Sequence, residues 1–348
     1  MRSAPTMTVP PLFLVGDVGA TNTRLAITTM RNGAVEWVHE VRVADAEIPS
    51  FDAALDTLFA ASPVERTRIA AACLGVAGPI LDHHARFTHR DWTIDANAIT
   101  ATLGGAPAKL VNDLQAAASG IDGLQERDLV ALQPRTAVRG GARLVIGAGT
   151  GLGVAYAVWC GNAYKAVASE GGHAGFAPQN ARQMRLLEAL RAGGERIEAE
   201  HVVCGAGLER IYATLCNEKP GAESPALRAE LDLRKGAPAI TRAALERNDP
   251  LASEALDLFI DCYGSVAGDH ALLVLPTGGV YVVGGIAAKI LPRLAAGGFV
   301  RAFTDKGRFG DLAGTFPVSV VTNEHLGLIG ATLIAKSNMP TAQPTSGG

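Results

Sequence analysis

Twice in this chain an apolar strand runs into a short turn of glycine, threonine and asparagine or alanine and returns at once as a second apolar strand. That repetition narrows the folds open to it. The first copy is Leu14-Val15-Gly16-Asp17-Val18-Gly19-Ala20-Thr21-Asn22-Thr23-Arg24-Leu25-Ala26. The second runs from Arg143-Leu144-Val145-Ile146 through Gly147-Ala148-Gly149-Thr150-Gly151-Leu152-Gly153 into Val154-Ala155-Tyr156-Ala157-Val158. Glycines in such turns let backbone N–H groups converge on an anion, and Thr21 and Thr23 add hydroxyl donors close to the chain. Either segment alone also reads as an ordinary hairpin turn. Together they read as a duplicated phosphate-binding device, with Asp17 at the end of the first strand placed to hold a hydrated Mg²⁺.

Neither copy fits the GxxxxGK[ST] pattern, and Leu152 stands where a dinucleotide GxGxxG needs its last glycine, so the P-loop and Rossmann readings are excluded. With 348 residues, 48% of them hydrophobic, and 40 glycines, the chain is long enough for two α/β domains rich in loops. A net charge of −3 leaves no basic surface for nucleic acid. Cys73, Cys160, Cys204, Cys216 and Cys262 are odd in number and never spaced as CxxC, which argues against disulfides and zinc and points to a reducing cytoplasm. Residues 1–11 lack the apolar core of a signal peptide and read, like Pro340–Gly348, as a tail. The uncharged run Ala271–Ala288 is cut by Pro276-Thr277-Gly278-Gly279 and Gly284-Gly285, so it reads as helix end, turn and buried strand, not as a membrane span.

Hydrophobic periodicity predicts strands at Leu12–Val15, Arg24–Thr29, Trp37–Val43, Ile69–Val76, Phe87–Trp92 and Lys109–Val111, with helices at Phe51–Ala61 and, capped by an aspartate, Asp95–Leu103. After the second glycine loop it predicts mainly helices, at Ala181–Ala192, Gly207–Asn217, Ala237–Arg247 and Pro250 to about Leu275. The strand Val280–Val283, a helix at Ala287–Ala295, the strand Val318–Val321 and the helix Glu324–Lys336 follow. Two glycine hairpins, each opening a strand-rich segment, suggest a duplicated α/β unit with a nucleotide cleft between the halves.

Asn112-Asp113 follows a buried strand, where α/β folds gather functional groups, and Asp113 is the candidate general base for a sugar hydroxyl in phosphoryl transfer. The same two residues also suit the cap of a helix at Leu114–Ser119. Vicinal hydroxyls need several fixed acceptors and donors, which Asn112, Asp113, Glu170, His173 and Glu200 would supply as a polyol-binding set; so widely spaced, they also suit solvated faces. Lys306-Gly307-Arg308 is a small basic cluster that could face phosphate but reads rather as a solvated turn, outside the core site.

Taken together, Gly16–Asn22, Asn112-Asp113, Gly147–Ala155, Glu170-Gly171-Gly172-His173 and Gly279–Ile286, in this order, resemble the bacterial ATP-dependent glucokinases of the hexokinase/actin/heat-shock ATPase superfamily. Phe176-Ala177-Pro178 and Asp305-Lys306-Gly307-Arg308-Phe309 match as well, and the resemblance runs from about Leu12 to about Lys336. It implies an α/β, two-domain ribonuclease H-like (actin-like ATPase) fold, with a small domain of 12–122 plus 323–338, a large domain of 123–322, and a nucleotide and sugar cleft between them. It implies Asp113 as catalytic base and Asn112, Asp113, Glu170, His173 and Glu200 as sugar ligands. Asp17, Val18, Gly19, Ala20, Thr21, Asn22 and Thr23 match the first phosphate loop, Gly147, Gly149, Thr150 and Gly151 the second, and Gly279, Gly284 and Gly285 the adenosine-side turn. The implied reaction moves phosphate from ATP, with Mg²⁺ held through water by Asp17, to the 6-hydroxyl of glucose, in a cytoplasmic homodimer with no nucleic-acid or membrane partner.

Two positions depart from the family's pattern. Thr88-His89-Arg90-Asp91-Trp92 stands where relatives often have Thr-Asn-x-x-Trp, and Gly175 where an Asp often follows the histidine loop. The Cys-rich zinc motif of the related repressor/open-reading-frame/kinase branch is missing. A kinase for another hexose or amino sugar, a non-catalytic sugar sensor, and a sugar-independent actin-like ATPase are the competing readings.

Overall fold

The computed structural model describes residues 10–340 apart from 20, 21, 45–47, 79, 87–91 and 234. The chain divides into two compact units: the segment up to Leu124 joined by the segment from His325, and Gln125–Glu324.

In the first unit, β1 (Leu12–Val18), β2 (Asn22–Arg31) and β3 (Ala34–Ala44) form an antiparallel meander. β4 (Ile69–Val76) lies parallel to β1 and is buried along almost its whole length, which is why it reads as an unbroken apolar run rather than an alternating one. A small antiparallel sheet follows, made of β5 (Ile80–Leu81), β6 (His84–Arg86) and β7 (Thr93–Asp95). The strand expected at Phe87–Trp92 falls largely on residues outside those described. β8 (Ala108–Asn112) completes the main sheet in the order β3-β2-β1-β4-β8. One face carries the helices Phe51–Ala61, capped by Ser50, and Ala96–Thr102, capped by Asp95 through the Asn97 N–H. On the other face Phe13, Val15, Ala26 and Val111 meet Leu328 and Ala331 of the helix Leu326–Ser337.

That last helix lies backbone to backbone on the helix Asp113–Gly120. A methyl group at Gly330 would run into the Ala116 carbonyl, and one at Gly120 into the Leu326 carbonyl, so only glycine permits this approach. Thr332 adds a 2.9 Å hydroxyl contact to Thr28 on β2.

The second unit contains β9 (Leu129–Gln133), β10 (Arg143–Ala148), β11 (Leu152–Trp159), β12 (Tyr164–Ser169), β13 (Val280–Val283) and β14 (Val318–Val321), ordered β12-β11-β10-β13-β14-β9. Leaving out β9, the two sheets share one plan, an antiparallel meander of three strands continued by two parallel ones. The fold is thus a duplicated α/β unit of the ribonuclease H-like, actin-like ATPase type. The long helix Pro250–Val274, capped by Asp249, is buried along one side, and the Tyr263 hydroxyl reaches from it to the Ile146 carbonyl and the Ala148 N–H at 3.2 Å each. This pins the end of β10 where the glycine loop begins.

Sequence periodicity did not find β9, β12 or the helix Pro225–Asp232. The helix expected at Ala287–Ala295 is two, Gly285–Lys289 and Leu291–Ala295, because Pro292 can stand only in the first turn of a new helix.

Candidate active site

In the first unit the candidate groups stand at the carboxyl ends of three parallel strands. Asp17 on β1 is level with Gly75 on β4, and Gly75 with Val111 on β8, so Asp17 and Asn112-Asp113 end strands two places apart, about 10 Å at ordinary sheet spacing. Gly75 lies between, and a Cβ there would sit 3.1 Å from Ala116 Cβ and 3.5 Å from Asp113 Cα. Its missing side chain lets the helix that begins at Asp113 settle onto the sheet.

Asn112 caps that helix: its Oδ1 accepts from the Leu114 N–H at 3.0 Å and the Gln115 N–H at 3.3 Å. Asp113 Oδ1 also accepts from the Leu114 N–H, at 2.7 Å. The capping alternative is therefore realised, and it orients both side chains.

Asp17 is half-buried, and burial pushes its carboxyl above the ordinary 3.8 against the pull of Arg24, its cross-strand neighbour. Gly327, in the first turn of the final helix, lies alongside, with its Cβ position 3.6 Å from Asp17 Oδ2. In the first glycine turn the Gly19 N–H donates to the Asn22 carbonyl at 3.0 Å, and Val18 is buried while Asn22 is exposed. Ala20 and Thr21 lie outside the described residues. Thr23 is a correction: the register pairs it with Val18 on the inward face and buries it fully, so its hydroxyl does not face a ligand.

In the second unit the loop after β10 closes through a 2.8 Å bond from the Gly149 N–H to the Gly151 carbonyl, with Thr150 exposed at its tip. Gly147 pairs with Val283 on β13. Gly284, at φ 92°, follows that strand, and its Cβ position is 2.9 Å from the Ala148 carbonyl, so Gly284 and Gly285 adjoin the loop. Gly279 does not. It precedes β13, at the opposite end of the strand, where its carbonyl accepts from the Leu144 N–H at 3.0 Å. A glycine that flanks a short strand on one side was assigned to the same turn as glycines that flank it on the other.

Glu200 is bound into the glycine loop. Its Oε2 accepts from the Leu152 N–H at 2.8 Å, and a side chain at Gly151 would collide with it. The turn Gly171–His173 is seated close to β11, because Gly172 abuts the Leu152 carbonyl where no Cβ fits. His173 Nδ1 lies 2.7 Å from Glu198 Oε2 and its Nε2 3.9 Å from Glu170 Oε2. The hydrogen bond to Glu198 is the main cause that raises the His173 pKa above 6.5, with Glu200 and Glu170 adding to it, while the same bond lowers the Glu198 carboxyl below 4.5. The structure thus brings Glu170, His173 and Glu200 together and adds Glu198, which sequence reasoning missed. Its signal was its place three residues before His201, whose Nδ1 accepts from the Glu198 N–H at 3.0 Å. Exposed Gly175 bridges to Glu198, and the Ala199 N–H donates to Ala174 at 2.8 Å, so the two loops are joined edge to edge.

A cavity of about 600 Å³, lined among others by Glu209, Tyr212, Cys216, Arg228, Gly236 and Ile240, opens near this loop. The Gly205 N–H donates to the Gly149 carbonyl at 2.9 Å, a Cβ at Gly205 would lie 3.9 Å from the Ala237 Cβ, and the Ala237 N–H donates to Glu209 at 2.9 Å. Lys306 is a third correction. Its side chain is buried and pairs with Asp269 at 3.0 Å instead of occupying a solvated turn. Among the described residues no three His, Cys, Asp or Glu side chains cluster to hold a metal ion, and no helix is long and apolar enough to cross a membrane.

A family model described as Glucokinase matches residues 14–338. A glucokinase of Synechocystis sp. (strain PCC 6803) is 38% identical over 93% of this chain and 97% of its own. The structure of a glucokinase from an Antarctic psychrotroph superposes with a TM-score of 0.81 at 26% identity, covering 94% of this chain and 99% of that one. A ROK family glucokinase from Streptomyces griseus, solved with glucose and AMPPNP, shares the fold at a TM-score of 0.66 and 21% identity, covering 94% of this chain and all of that one (100%).

Proposed function

The chain belongs to the glucokinase family, and we propose that it transfers the terminal phosphoryl group of ATP to the 6-hydroxyl of D-glucose, giving D-glucose 6-phosphate and ADP. The observation that carries this reading is the double engagement of Glu200. One carboxylate holds the N–H of Leu152 in the phosphate-type loop and stands in the group that contains His173 and Glu170, so sugar-binding and phosphate-binding chemistry are built as one piece.

The carboxylates of Glu170 and Glu200 accept from sugar hydroxyls, and His173, steadied by Glu198, supplies the complementary donor. Asn112, its Oδ1 engaged in the helix cap, offers its amide N–H groups. Asp113 accepts the proton of the 6-hydroxyl as the bond from that oxygen to the γ-phosphorus forms and the bond to the β-phosphate oxygen breaks. The Gly19 and Gly149 N–H groups shape the two turns, and the N–H groups left over in the turns at Gly19 and Gly147–Gly151, with the exposed Thr150, meet the phosphates. The contacts running from Gly149 through Gly205 and Ala237 support the neighbouring cavity, with Gly284 and Gly285, as the place of the nucleoside. Asp17 fits a hydrated Mg²⁺ brought by ATP, since a lone carboxylate disfavoured by burial gains from a cation that keeps its other waters and phosphate oxygens. When bound, that ion neutralises charge on the transferring phosphate.

The unit that contains Asp17 and Asp113 is read as the small domain, and Gln125–Glu324 as the large one. The five cysteines, all free, support a reducing cytoplasm, and the family resemblance supports a homodimer, which light scattering would test. A panel of hexoses and amino sugars against ATP, ADP and polyphosphate, read as sugar 6-phosphate formed, tests the activity. Preference for glucose with ATP supports the reading. Glucose-independent ATP hydrolysis without sugar phosphate overturns it in favour of an actin-like ATPase.

A further inference from the structure

Behind the turn Glu170–His173 lies a set of polar groups with no part in the chemistry above. His270, on the long helix Pro250–Val274, is 5% exposed, and its Nδ1 stands 2.9 Å from the Tyr156 hydroxyl on β11. The same imidazole meets the Gly171 backbone, with Cε1 2.8 Å from where a Gly171 Cβ would be. The Tyr156 hydroxyl is hydrogen-bonded to Ser169, at the end of β12, and Ser169 Oγ accepts from the Gly171 N–H at 3.0 Å. Burial lowers the His270 pKa below 6.5 and keeps the ring neutral.

A neutral imidazole that accepts at Nδ1 has its N–H at Nε2, which leaves that group to donate to the Gly171 carbonyl. The donors then run head to tail. Gly171 N–H donates to Ser169, Ser169 O–H to Tyr156, Tyr156 O–H to His270, and His270 N–H back to Gly171. Such a closed cycle is cooperative, and since His270 is buried while Tyr156, Ser169 and Gly171 are half-buried, its links are costly to leave unmade. It fixes both faces of the one residue between Glu170 and Gly172, where no side chain is available to do so.

We infer that Ser169, Tyr156 and His270 form a ring of positioning residues that sets the orientation of the Glu170–His173 turn and thereby the enzyme's grip on its sugar. The inference rests on the reading of that turn as a sugar-binding loop. None of the three touches substrate in this account; they act through the Gly171 peptide.

The test is steady-state kinetics and melting of Tyr156→Phe, His270→Leu, His270→Gln and Ser169→Ala, beside Glu170→Ala. Loss of one link should raise the glucose KM about tenfold in Tyr156→Phe. The kcat and the ATP KM should stay close to wild type, and the Tm should fall by only about 2–4 °C, the cost of one lost link. His270→Gln, which keeps an acceptor and a donor, should recover much of what His270→Leu loses, and Tyr156→Phe combined with His270→Leu should be less than additive. An unchanged glucose KM in Tyr156→Phe and His270→Leu, with a raised one in Glu170→Ala, overturns the ring and spares the sugar loop. An unchanged glucose KM in Glu170→Ala sinks the loop reading and the ring with it. Equal rises in both KM values with a lowered Tm mark general softening and also overturn the ring; Ser169→Ala, the smallest deletion, guards against a variant that simply folds badly.

Discussion

His173 Nδ1 stands 2.7 Å from Glu198 Oε2, and this contact ties the turn after β12 to the segment that carries Glu200. The two groups shift in opposite directions because of one bond, the imidazole upward from 6.5 and the carboxyl downward from 4.5.

The pH dependence follows from those directions. A raised His173 pKa contributes stability that is full below 6.5 and is lost as pH rises through the folded value, and a lowered Glu198 pKa contributes stability that is present above 4.5 and is lost as pH falls through its folded value. The pair is therefore complete between 4.5 and 6.5. In Glu198→Gln, NMR titration of His173 should show its midpoint falling toward the ordinary value. The Tm deficit of the variant should be largest inside that window and shrink as the pH is raised above it; a constant deficit would contradict this account.

Asp113→Asn should lower kcat by about 10²–10⁴, the usual yield of a positioned general base. The glucose Kd should change little. Asn112 still caps the helix through Leu114 and Gln115, so the Tm should hold, and calorimetric glucose binding separates loss of chemistry from loss of structure. Turnover near wild type would remove Asp113 from its role.

Asp17→Asn should make the protein more stable and less active. Burial disfavours the ionised form of Asp17 and raises its pKa, so the wild type loses stability as pH rises from 3.8 through the folded value, and the neutral amide escapes this loss. A Tm gain of about 2–4 °C is expected, together with a fall in kcat of at least about a hundredfold. Addition of Mg-ATP should raise the Tm of the wild type far more than that of the variant.

Glu200→Ala should raise the KM of both substrates. The variant loses a sugar acceptor and leaves the Leu152 N–H without the carboxylate that steadies the glycine loop. A rise of about tenfold in each is expected from one lost charged hydrogen bond. A glucose KM that rises alone would separate Glu200 from the phosphate loop.

The elements most legible in the sequence were those buried on both faces or bounded by strong punctuation. Ile69–Val76 and Val280–Val283 are continuous apolar runs, Val318–Val321 is broken only by Ser319, and Phe51–Ala61 begins at a serine cap with Leu55 and Leu58 at helical spacing. β9 and β12 were not seen because each is the edge of its sheet; Tyr164–Ser169 is largely exposed, with Lys165 facing solvent, and so carries neither an apolar run nor clean alternation. The loops around Glu170 and Glu200 were visible as glycines and carboxylates, but Glu198 became a partner of His173 only through pairing between segments distant in sequence. Thr23 and Gly279 misled for one reason. Adjacency in sequence says nothing about which face of a strand, or which end, a residue occupies.

The close approach of Gly330 to Ala116 has a consequence for the birth of the protein. The helix that covers Phe13, Val15 and Ala26 is translated only after the whole of Gln125–Glu324, so until then that face of the earliest sheet has only Ala116 and its helix against it. The half that the ribosome makes first is completed by the last helix made, and a nascent chain caught in between lacks the cover that Leu328 and Ala331 give that face.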